Sequence, residues 1–148
     1  MKTTLQAGLA DTVTLTVDRE RTIDFMGEAA RVYATPMLVR DIEIACRELL
    51  LKHLDPGEDS VGTRVEIDHL AATLLGMAVT LEVRLVGLDG RAAVFEIEGR
   101  DAVEPIVRGR HHRFIVDTAK TAQRLAGKAQ KARQAQQAQQ APTAAGAA

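Results

Sequence analysis

The chain has 148 residues, 46% hydrophobic and 26% charged, a composition that predicts one soluble globular domain with a substantial core. Its net charge of -1 hides an asymmetry: residues 118–148 carry five basic residues and no acid, so the remainder stands at -6, which argues against a nucleic-acid surface on the body. No stretch approaches the roughly 18 apolar residues that cross a bilayer, and the single cysteine, Cys46, excludes an internal disulfide and a cysteine metal cluster.

The first residues, "MKTTLQAGLADTVTLTVDRE", are too polar and too soon interrupted by Asp11 to read as a signal peptide, so a cytoplasmic setting is expected. Within them "TVTLTV" alternates strictly. Val13, Leu15 and Val17 share one face, the pattern of a half-buried strand. The next segment, "DRERTIDFMGEAARVYA", is mixed and contains Gly27, and it reads as an irregular or short-helical connection.

A helix follows. Thr35 suits the N-cap, Pro36 the first helical position, and Pro56 with Gly57 ends it near Leu54. Leu38, Ile42, Ala45, Cys46 and Leu49 form one apolar stripe, while Met37, Ile44 and Leu51 form a second on nearly the opposite side. A helix apolar on two faces is expected to be largely enclosed.

Four strand-like segments come next, at 61–72, 77–88, 91–101 and 104–117. Asp89-Gly90 signals a tight turn between the second and third, and Pro105 fits the start of the last. From Thr118 the pattern turns helical and degrades into Gln/Ala low complexity, which predicts a C-terminal helix running into disorder after about Ala129. One helix followed by a run of strands predicts an α+β domain, 1–117, with an antiparallel five-stranded sheet curled around that helix, and a tail, 118–148.

Three polar residues stand where apolar ones are expected. Glu43 lies on the row Val39, Glu43, Cys46, Leu50, and a carboxylate buried there is costly unless paired. It is either a structural partner of Arg40 or Arg47, or a catalytic acid. His69 is the one ionisable member of an apolar strand face, either a hydrogen-bonded core histidine or a general acid or base. Thr35 is either a plain helix cap or part of an oxyanion site, where free N–H groups and the positive dipole end polarise a carbonyl. Cys46 sits mid-stripe and reads as core. His111 and His112 are adjacent on a strand and so point to opposite faces.

Four blocks carry a likeness to a known family: "ATPMLVRDIEIAC", "LDPGEDSVGT", "HLAATLLGMAV" and "GRHHRFIV". The chain resembles the hot-dog-fold thioesterases of the fluoroacetyl-CoA thioesterase type over roughly residues 10–120. That resemblance implies a hot-dog fold, hydrolysis of a small or medium acyl-CoA, and a catalytic set of Thr35, Glu43 and His69. It also implies a homodimer with sites at the subunit interface and substrate contacts from Gly62, Phe25, Tyr33 and Arg113. Arg113, with Arg108 and Arg110, is expected to meet the phosphates of coenzyme A. No metal or cofactor is required, and neither nucleic acid nor membrane is an expected partner. The alternatives are a hot-dog acyl-CoA dehydratase and a non-catalytic acyl-CoA or fatty-acid binding protein. The segment Thr22–Thr35 matches the family's substrate-covering lid but is shorter, with Phe25 as its one phenylalanine, which predicts a loosely sealed acyl site.

Overall fold

Alternation builds the sheet. In the computed structural model, which describes residues 1–142, β1 (Ala10–Thr16) turns Val13 and Leu15 toward the core. The long strands β4 (Glu58–His69), β5 (Ala78–Asp89), β6 (Ala92–Asp101) and β7 (Pro105–Asp117) follow the helix. Val79, Leu81, Val83 and Leu85 of β5, and Phe95 and Ile97 of β6, are fully buried on the inner face, as their period of two dictates. The strand order is β1-β5-β6-β7-β4, with antiparallel β1–β5, β5–β6 and β6–β7 pairs. Gly90 takes φ +58° in the turn that joins β5 to β6. β7 lies beside β4, and at Gly109 the two backbones approach so closely that a Cβ would collide with the Glu66 carbonyl. β4 is therefore an edge strand of twelve residues.

Helix α1 (Thr35–Leu51) packs on β1, β4 and β5. Its stripe of Leu38, Ile42, Ala45, Cys46, Leu49 and Leu50 is buried, and each large member contributes about 1.5–3 kcal/mol. This is the hot-dog arrangement: an antiparallel five-stranded sheet around one long helix.

Four local expectations need correction. The helix is not enclosed on both faces: Ile44, in the second stripe, is 44% exposed, because the sheet of a single chain covers only one side. Thr35 is not the cap; Ala34 is, with no side-chain cap, and Thr35 is the first helical residue. The helix ends at Leu51, since the N–H groups of His53 and Leu54 reach back only three residues, to Leu50 and Leu51. The connection before it is short-helical, as expected, but also forms a strand pair that was not expected. It holds two 3-10 turns (Arg19–Arg21 and Glu28–Ala30) and a small antiparallel pair, β2 (Thr22–Ile23) with β3 (Val32–Tyr33).

Contacts divide the chain at Val116, and the second unit holds helix α2 (Thr118–Gln140). Asp117 caps it by accepting from the Lys120 N–H, 2.9 Å away. The helix continues eleven residues past Ala129, where loss of order was expected, because Ala, Gln, Lys and Arg are strong helix formers even without an apolar face. The end of the predicted disordered tail, 143–148, lies outside the described residues. Among the described residues no helix is long and apolar enough to cross a membrane.

Candidate active site

The amino end of α1 carries the first half of the site. Pro36 has no N–H, and the Met37 and Leu38 N–H groups both donate to the Ala34 carbonyl at 3.0 Å. The oxyanion donors expected here thus reduce to the Thr35 N–H and hydroxyl. Relieved of capping, the Thr35 hydroxyl lies 2.7 Å from Nδ1 of His69, the last residue of β4. His69 Nε2 is buried and has no hydrogen-bond partner among the described residues. Burial lowers the His69 pKa below the ordinary histidine value, so the ring is neutral at pH 7. Tyr33 meets that ring edge-on, with centroids 6.4 Å apart and planes at 83°.

Eight residues further along α1, about 12 Å at 1.5 Å per residue, stands the second half. The Glu43 side chain is 43% exposed, and its Oε1 lies 3.8 Å from Arg113 Nη1 and 4.0 Å from His111 Nε2. Arg113 is almost wholly buried. Its Nε donates to the Ser60 hydroxyl at 2.7 Å and its Nη2 to the Ser60 carbonyl at 2.8 Å. Its Nη1 is 3.1 Å from His111 Nε2, while His111 Nδ1 is 2.9 Å from the Arg64 carbonyl. A carbonyl only accepts, so Nδ1 carries the proton and Nε2 accepts from Arg113; the ring is neutral. Burial drives the His111 pKa down, and the Arg113 charge adds to this. Burial also lowers the Arg113 pKa, with Glu43 opposing, but a guanidinium keeps its proton. Gly62 closes this centre, since a Cβ there would run into the Glu43 carboxylate.

Several sequence expectations change here. Neither Arg40 nor Arg47 pairs with Glu43. Arg47 instead makes a two-pronged contact with Asp59, at 2.9 and 2.7 Å. Arg113 is not poised for phosphates, because its guanidinium is buried and committed to Ser60 and His111. Arg108 and Arg110 are exposed beside Asp68 and Glu96, at 3.5 and 3.2 Å. Thr35 and His69 are brought together, but no hydrogen bond or ion pair among the described residues joins either to Glu43. Phe25 is 86% exposed at the tip of the 18–34 segment, and Tyr33 is buried at its root. Cys46 is core, its thiol pushed up to about 12 by burial. The sequence reading missed His111 and Ser60. The signal for His111 was its place two residues before Arg113, on the same face of one strand.

The family model for fluoroacetyl-CoA-specific thioesterase (FlK) matches residues 17–119, more than two thirds of the chain. The chain belongs to the fluoroacetyl-CoA-specific thioesterase family. Membership makes it an acyl-CoA thioester hydrolase. It is 34% identical over 93 residues to the fluoroacetyl-CoA thioesterase of Streptantibioticus cattleyicolor, covering 63% of this chain and 67% of that protein. A crystal structure of a single-residue FlK mutant superposes with a TM-score of 0.79 at 29% identity, over 86% of this chain and 99% of that one. The same mutant in complex with fluoroacetate and CoA gives 0.73 at 30% identity, over 79% and 99%. A Thermus thermophilus protein described as a thioesterase superfamily member gives 0.77 at 29% identity, over 88% and 96%.

Proposed function

We propose that this enzyme hydrolyses short acyl-CoA thioesters with Thr35, Glu43 and His69 as its catalytic set. The observation that carries the proposal is the 2.7 Å contact between Thr35 and His69, made by a threonine that has no capping duty. With Nδ1 protonated, His69 donates to Thr35 Oγ1. The threonine hydrogen is then free to point, with its own backbone N–H and the helix dipole, at the oxyanion that forms on the thioester carbonyl. Glu43 supplies the carboxylate that attacks the carbonyl or draws the proton from the attacking water. Arg113 Nη1 stands 3.8 Å from that carboxylate as its nearest counter-charge, and Gly62 leaves the room it needs.

The active form is a homodimer. In one chain the β4 edge is unpaired, Val61 on it and Ile44 on the open side of α1 are each 44% exposed, and the Glu43 carboxylate lies open beside this edge. A long unpaired edge with apolar neighbours invites a second copy. That copy would enclose Glu43 and raise its electrostatic leverage by excluding water. Sedimentation at micromolar concentration should give twice the 16.0 kDa chain mass. A monomer that hydrolyses acyl-CoA at full rate would overturn the interface reading.

The acyl wall is the 22–35 segment, whose apolar tip residues Phe25 and Met26 are 86% and 70% exposed. A cover with one loose phenylalanine seals poorly, so the enzyme accepts several short acyl groups. Each apolar contact discriminates by about 1–3 kcal/mol, and few are available. The ratio of kcat/KM for fluoroacetyl-CoA over acetyl-CoA should therefore stay under about a thousandfold. A larger ratio would mean that this short segment still builds a selective gate.

A further inference from the structure

A buried carboxylate lies on α1, outside the catalytic set. Asp41 is 6% exposed, and an ionised group so placed must be paired and hydrogen-bonded. Both its oxygens are engaged. Arg21 Nε donates to Oδ2 at 2.8 Å and Arg21 Nη2 to Oδ1 at 3.1 Å, while the Tyr33 hydroxyl donates to Oδ2. The pairing raises the Arg21 pKa, and burial followed by the Asp41 contact raises that of Tyr33, so the phenol keeps its proton.

The two donors come from the two ends of the segment that precedes the helix. Arg21 closes the first 3-10 turn, and its carbonyl accepts from the Ala34 N–H at 2.8 Å. Tyr33 ends β3, and its N–H donates to the Thr73 carbonyl at 2.8 Å. One carboxylate thus clamps the root of the 18–34 flap to the helix. The tip of the flap has no such fixing: Phe25 and Met26 are exposed, and the ion pairs there (Arg19–Glu28, Arg31–Glu28 and Arg31–Asp24) are local.

Tyr33 also borders the catalytic histidine. Among the described residues the His69 imidazole has one hydrogen-bonded atom, Nδ1, and Nε2 has no partner. With one hydrogen bond, the orientation of the ring depends also on what packs against it. The Tyr33 ring packs edge-on against it at 6.4 Å, and the Tyr33 hydroxyl is held by Asp41.

We infer that Asp41 is a positioning residue: through Tyr33 it sets the plane of the His69 imidazole, and through Arg21 it seats the flap over the acyl site. The inference rests on the catalytic reading of His69, and its test separates the two. Tyr33→Phe keeps the ring and the Arg21–Asp41 pair and removes one hydroxyl. It should lower kcat about tenfold or more with KM changed less than twofold, because misplacement of a reacting group acts on the chemical step. The His69 ring resonances, read by nitrogen-15 NMR, should move or broaden. Asp41→Asn should lower kcat at least as far, and the double variant no further than Asp41→Asn alone, since both act through one contact. Unchanged His69 resonances in folded Tyr33→Phe overturn the positioning inference whatever the activity. Changed resonances together with a fully active His69→Ala overturn instead the catalytic reading on which it stands.

Discussion

Glu43→Gln should lose two or more orders of magnitude in kcat, about 3 kcal/mol or more of transition-state stabilisation, while the protein stays folded. The amide keeps the shape of the side chain and discards its charge and basicity. Stability should hardly change. The Glu43 side chain is 43% exposed and its nearest cationic atom is 3.8 Å away, too far for a direct hydrogen bond. Arg113 loses a counter-charge but retains Ser60 and His111 as partners. The comparison is turnover number against melting temperature on one preparation. Near-normal turnover would leave Glu43 as a structural neighbour of Arg113 and remove it from the chemistry.

His69→Ala should cost between about a hundredfold and ten-thousandfold in kcat, the range of a lost general acid–base group, and little stability. The ring is only half-buried and makes one hydrogen bond, so truncation leaves a small polar gap beside Thr35. The sign of the pH effect follows from its burial. Protonation would place a positive charge where burial disfavours it, so the neutral form persists below the ordinary pKa of about 6.5. On the proposed mechanism the neutral form is the working one. Activity should therefore stay flat from neutral pH down past about 6.5 and fall only below it, and His69→Ala should erase that limb. A melting temperature that drops sharply while the remaining folded protein turns over normally would make His69 a packing residue.

The sheet and the buried stripe of α1 were legible because both rest on periodicity. Val79, Leu81, Val83 and Leu85 alternate in sequence and are buried together, and Leu38, Ile42, Ala45 and Leu49 recur at helical spacing. Thr35, Glu43 and His69 stood out as polar residues in apolar company; the structure joins Thr35 to His69, while no hydrogen bond or ion pair among the described residues joins either to Glu43. Other features left no local trace. Asp41 carried no sequence signal, because its partners Arg21 and Tyr33 are distant in sequence and no period links them. The two-residue strands β2 and β3 are too short to display any alternation. The open face around Ile44 read as enclosed because sequence marks an apolar surface without saying whether its own chain or another covers it. Arg113 was legible as a basic residue on the last strand, but its burial against Ser60 depends on which strand lies beside β7.

The central claim is that this site cleaves thioesters, and the direct measurement is release of free CoA thiol from a panel of short acyl-CoAs. Sustained release by the wild-type chain, lost in Glu43→Gln, is the result the account predicts. Recovery of intact acyl-CoA from a protein that binds it, with no thiol released across the panel, would contradict it and leave a binding protein in place of a hydrolase.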